Sequence, residues 1–115
     1  MKNYDNFFLP IDSMESAKAF YGGILGFQLK FDFSNIGMTA FSVGSEEPAI
    51  ILKDTSKFPD VKPAIWFVVD YVYATYNMLK DKGVAFLSEP FRNRIGNAVE
   101  FDDPFGNRLG ITDYC

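Results

Sequence analysis

Apolar and polar positions change their period several times along the chain, and each change marks an element. Residues 6–11 (NFFLPI) form a short apolar run that predicts a strand, closed by Pro10, which has no ladder donor. Asp12-Ser13-Met14-Glu15 fits a capping box, an N-terminal side-chain oxygen answered by Glu three residues later. Met14, Ala17, Phe20, Tyr21, Ile24 and Leu25 then recur at helical spacing, and Gly26 supplies the stop. Residues 28–33 (QLKFDF) alternate, with Leu29, Phe31 and Phe33 on one face, as in a half-buried strand. Residues 38–43 and 49–52 predict two more strands around the turn-forming Gly44-Ser45-Glu46-Glu47-Pro48.

Polar residues without periodicity follow, and the pattern then starts again. Residues 64–69 (AIWFVV) predict a buried strand, Asp70 is placed to cap a helix running to about Lys82, and Gly83 ends it. Val72, Tyr76 and Leu79 make that helix's inward stripe. Residues 84–87, 98–101 and 108–112 predict three strands, with Asp103-Pro104-Phe105-Gly106-Asn107 as the turn before the last. Equivalent elements lie at nearly constant offsets: Asn6 to Ala64 is 58 positions, and Gly26 to Gly83 is 57. Each half therefore reads strand, helix, strand, strand, strand. The expectation is one α+β domain of two tandem βαβββ modules, at about residues 5–53 and 63–114, joined by a linker over 54–62.

Composition narrows the chemistry. The 115 residues include 13 Phe, 6 Tyr and one Trp, a single Cys at position 115 and no His. This excludes imidazole as base, nucleophile partner or metal ligand, and it excludes an intrachain disulfide. Eleven Lys and Arg against fifteen Asp and Glu give a net charge of −4. That field repels nucleic acid and anionic membrane surfaces and attracts cations. No secretory leader or 18-residue apolar run is present, so a cytoplasmic protein is expected.

Phe20-Tyr21 followed by Leu25-Gly26-Phe27, the Val69-Asp70 helix entry with Gly83-Val84 after it, and Phe101-x-Asp103-Pro104-x-Gly106-Asn107 together resemble the vicinal oxygen chelate superfamily. That group includes glyoxalases, extradiol dioxygenases, fosfomycin-resistance enzymes and bleomycin-resistance proteins. The resemblance runs from about Asn6 to Asp113. It implies a curved, partly open mixed sheet with a concave cleft and helices on the convex side. It also implies a homodimer, and metal-ligand positions at Asn6, Ile51, Ala64 and Gly110. Those residues are not a transition-metal donor set, so no metal and no other cofactor is expected.

Alternation puts Phe8 on the face of Asn6, Trp66 and Val68 on that of Ala64, and Arg108 on that of Gly110, with Glu100 beside them. Asn6, Phe8, Trp66, Val68, Glu100, Arg108 and Gly110 are thus the candidate ligand-binding residues; no catalytic residue is assigned. Each has a plainer reading. Trp66 fits core packing as well as ligand stacking, Asn6 fits a backbone contact, and Glu100 and Arg108 fit a cross-strand pair as well as ligand contacts. The functional expectation is a metal-independent small-molecule-binding protein like bleomycin-resistance proteins, holding an aromatic, cationic ligand by sequestration or sensing. The alternative is a glyoxalase-like lyase, isomerase or dioxygenase of the same superfamily.

Overall fold

The computed structural model describes all residues, Met1–Cys115. Contacts divide them into two units, Asn6–Pro63 and Met1–Asp5 with Ala64–Cys115, here called the first and second unit. In chain order the elements are β1 (Asn3–Ile11), α1 (Met14–Lys18) with its π-helical continuation Ala19–Ile24, β2 (Gln28–Phe33), a 3-10 turn (Ser34–Ile36), β3 (Met38–Ser42) and β4 (Ala49–Asp54). Then follow β5 (Ala64–Val68), α2 (Val72–Asp81), β6 (Phe91–Arg92), β7 (Asn97–Asp102) and β8 (Arg108–Thr112). The fold is α+β, and βαβββ occurs twice.

In the first unit the strand order is β2-β3-β4-β1, with β1 parallel to β4 and the other pairs antiparallel. Alternation sorts its apolar residues into two sets. Leu9, Ile11, Phe41, Ile50 and Leu52 pack against Met14, Ala17, Tyr21 and Phe27 on the helix side. Phe8, Phe31, Met38, Ala40, Ala49 and Ile51 cluster on the face that no helix covers. The cap departs from expectation by one residue. Ser13, not Asp12, is the N-cap, and its Oγ accepts the Ser16 N–H at 3.3 Å, so Glu15 closes no box. The helix also widens after Lys18: the Leu25 N–H donates to the Phe20 carbonyl, five residues back, at 2.9 Å. The periodicity of residues 14–25 does not distinguish that turn from an α-helix, because a single wider turn adds only about one residue to an otherwise helical repeat.

The second unit has the order β5-β8-β7-β6, β5 parallel to β8 and the rest antiparallel. The first residues of β1 add to it: the Lys2 N–H donates to the Val68 carbonyl at 2.8 Å, and Tyr4 packs its ring on Phe67. Val69, Val72, Tyr76, Val99, Phe101 and Ile111 form the core, with an edge-to-face chain of Tyr76, Phe86 and Phe101 inside it. Two expectations need correction. The strand read at residues 84–87 is only a bridge between Phe86 and Phe101; the hydrogen-bonded strand is β6, five residues further on. Asp70 does not cap α2. It pairs with Lys2 at 2.9 Å, and the Val72 N–H is met instead by Asp113 Oδ2 at 2.8 Å.

No helix is long and apolar enough to cross a membrane.

Candidate ligand-binding face

Five candidate residues share the helix-free face of the second unit because strand register brings them into rows. Trp66 lies opposite Gly110, and Gly110 opposite Glu100; Ala64, Arg108 and Asp102 form the next row, and Val68, Thr112 and Ala98 the one beyond. Asn6 and Phe8 belong to the first unit. There the Asn6 Oδ1 accepts the Ala49 N–H at 3.0 Å, which ties the side chain to its own sheet. Phe8 packs among Ala40, Ala49 and Ile51 while the Lys53 ammonium sits 4.4 Å from its ring centroid and 4.8 Å from that of Phe58.

The middle row has one dominant feature. The Trp66 indole lies flat on Gly110, so that a Cβ at Gly110 would meet Cδ2 and Cε2 at 2.3 Å. Only a residue without a side chain permits this contact. The indole is itself only 9% exposed.

Charge on the face is set by pairing. Arg108 Nε donates to Asp102 Oδ1 at 2.7 Å, with the Arg108 side chain only 12% exposed. The anticipated Glu100–Arg108 pair is therefore replaced by Asp102–Arg108. A turn of five residues, 103–107, places Asp102 directly across from Arg108, a deduction that turn length alone permits. Glu100 is left partly buried, and its carboxylate has no hydrogen-bond or ion-pair partner. The turn is rigid for a visible reason. Asp103 accepts from the Phe105 and Asn107 N–H groups at 2.8 and 2.9 Å and from the Asn107 side chain at 2.8 Å. The Asn107 side chain and the backbone donors hold its carboxyl below the usual range.

Sequence reasoning missed Asp113. It is fully buried, and it accepts from the N–H groups of Val72 and Asn97, both at 2.8 Å, and from the Asn97 side chain. Desolvation pushes its carboxyl up, but these donors and the Cys115 N–H together hold it below the ordinary value. Its partners lie up to 41 positions away, and no local pattern announces them.

Residues 3–111 match the Glyoxalase/Bleomycin resistance protein/Dioxygenase superfamily. The chain belongs to that superfamily. A stretch of 67 residues is 36% identical to the uncharacterized protein YurT of Bacillus subtilis, covering 58% of this chain and 53% of that protein, about half its length. Among solved structures, NAD-dependent benzaldehyde dehydrogenase from Legionella pneumophila is similar at TM-score 0.77 and 16% identity, over 96% of this chain and 98% of the other. Methylmalonyl-CoA epimerase from Mycobacterium tuberculosis is similar at TM-score 0.75 and 19% identity, over 98% and 88%. The epimerase of Streptomyces coelicolor gives 0.76 and 14%, over 100% and 99%. At these identities the likeness is one of fold, and fold does not fix function.

The divalent ion that the superfamily resemblance implies does not fit this member. Of the four ligand positions, Ile51, Ala64 and Gly110 offer no side-chain donor, and the Asn6 amide oxygen is engaged by Ala49. Three or more Asp, Glu, Cys or His side chains converge nowhere in the structure.

Proposed function

We propose that this superfamily member binds a small organic ligand without a metal ion, on the helix-free face of the second unit around Trp66, Val68, Glu100 and Gly110. The observation that carries this reading is the indole on Gly110, which fills the space a ligating side chain would need. Glu100 is the one charge of that face without a partner, and it sits across Gly110 from an aromatic ring. Such a pair favours a cationic, flat ligand, because an aromatic surface adds roughly 0.5–2 kcal/mol per cation contact and the acidic chain raises local cation concentration. Sequestration of the kind bleomycin-resistance proteins perform, or sensing, needs nothing more. The test is Trp66 emission during titration with planar aromatic cations and bleomycin-type glycopeptides, with and without EDTA. Saturable change that EDTA leaves intact, and that Glu100→Gln weakens, is the expected result. A response that requires Ni²⁺, Zn²⁺ or Mn²⁺ would overturn the reading.

The unpartnered Glu100 carboxylate also supports a second reading, an isomerase in which it takes a proton from a carbon next to a carbonyl and returns it to the other face. Methylmalonyl-CoA epimerases are among the similar folds. Deuterium uptake at the substrate carbon in D₂O, lost in Glu100→Gln, would separate catalysis from binding.

A further inference from the structure

The first unit carries a depression on its helix side, where β1 runs into α1. It lies between the end of that strand, one flank of the helix and Thr55 just beyond β4, and it encloses about 630 Å³. That volume is in the range of small-molecule pockets. Ala17 lines it with a side chain too short to fill it. The Thr55 N–H donates to the Ile11 carbonyl at 2.9 Å, which fixes Thr55 beside the end of β1. On the other side the π-helical turn brings both Phe20 and Tyr21 to the wall, their rings edge to face at 5.3 Å and 83°. Wide turns of this kind are rare and recur at functional sites. Tyr21 is braced by stacking on Phe41, whereas Phe20 is 46% exposed.

The polar groups of the depression have bonding capacity to spare. Ser13 Oγ donates to Ser16 Oγ at 3.1 Å, so the Ser16 hydroxyl keeps its own proton for another acceptor. The Thr55 hydroxyl and the Asp12 carboxylate have no partner within the chain, and no Lys or Arg lines the depression to neutralise Asp12. The geometry points to a second ligand site here, for a small hydroxylated amine such as an amino sugar. An ammonium group meets Asp12 in a charge-assisted bond, and the net charge of −4 draws it in. Hydroxyls of the ligand meet Ser16 and Thr55, and its C–H face lies on the Phe20 ring. A purely apolar ligand would strand the carboxylate and the hydroxyls, and an anion would meet Asp12 with no cation beside it. The site shares no residue with the face around Trp66.

Titration of the isotope-labelled chain with glucosamine, followed by backbone amide chemical shifts, tests this. The depression is open and glucosamine has about a dozen heavy atoms, so saturation belongs in the millimolar range. The expected shifts fall on residues 11–21 and on Thr55, while the Trp66 and Gly110 amides stay still. Glucose, which lacks the charge, should bind at least tenfold more weakly. Asp12→Asn and Phe20→Ala, both at exposed positions that the fold tolerates, should each weaken glucosamine binding at least fivefold. Asp60→Asn, the same change of charge outside the depression, should leave it unchanged. The absence of any saturable shift in the millimolar range overturns the inference. So does glucose binding as tightly as glucosamine, an Asp12→Asn chain that binds like wild type, or shifts centred on Trp66.

Discussion

Replacing Gly110 by Ala puts the central packing claim at risk. The new Cβ would start 2.3 Å from two indole carbons and 2.7 Å from a third, and the obstacle is a fused ring that cannot move one atom at a time. Either Trp66 leaves its rotamer or β5 and β8 separate, and both cost about 1–3 kcal/mol, the usual range for overpacking a filled site. For a domain of this size that lowers Tm by roughly 4–12 °C. Urea unfolding followed by far-ultraviolet circular dichroism gives the energy, and Trp66 emission should move to longer wavelength as the ring is displaced from its 9% exposed position. The argument has a sharper form as a cycle. Trp66→Leu removes the obstacle, so Gly110→Ala added to it should cost at least 1 kcal/mol less than in the wild type. Equal costs in both backgrounds, or a neutral Gly110→Ala with unchanged emission, would refute the flat stacking of Trp66 on Gly110 and remove the main support for a metal-independent site.

Asp113→Ala should lose about 2–4 kcal/mol in urea unfolding, because it strands two backbone N–H groups and the Asn97 amide in a buried place. Its folded carboxyl lies below the unfolded value, so its stabilisation is complete above about pH 4 and disappears as pH falls through the folded value; Asp113→Asn should therefore give a shallower acid limb than wild type. Asp102→Ala should cost about 1–2 kcal/mol by leaving a mostly buried guanidinium, whereas Glu100→Ala should stay within about 0.5 kcal/mol, a contrast that the same denaturation measurement resolves. Asp103→Ala should lower the urea midpoint more than Asp103→Asn, since the amide keeps one acceptor for the turn's N–H groups.

The repeat made the architecture legible, because a 57- to 58-residue offset needs no knowledge of register. Local chemistry was legible where both partners lie close in sequence, as in the Asp103 turn. It failed where a partner comes from another strand. Asp70 looks like a cap beside α2, yet the oxygen at Val72 belongs to Asp113, 41 positions on. Residues 84–87 carry strand composition, but only Phe86 and Leu87 reach β7, and pairing begins at Phe91. The placing of Trp66 over Gly110 joins two residues 44 positions apart; a glycine inside a strand was the only signal, and it does not say what lies upon it.

The make-up of the second unit bears on synthesis. Its residues include Met1–Asp5 as well as Ala64–Cys115, and Tyr114 O–H donates to the Asp5 carboxylate across 109 positions. The first unit, by contrast, is one continuous stretch, Asn6–Pro63. At a translation rate of about 5–20 residues per second, Asp5 waits roughly 5–20 s for the tyrosine that meets it. By the later part of that interval all of the first unit has been synthesised, while the opening segment of β1 still waits for Tyr114.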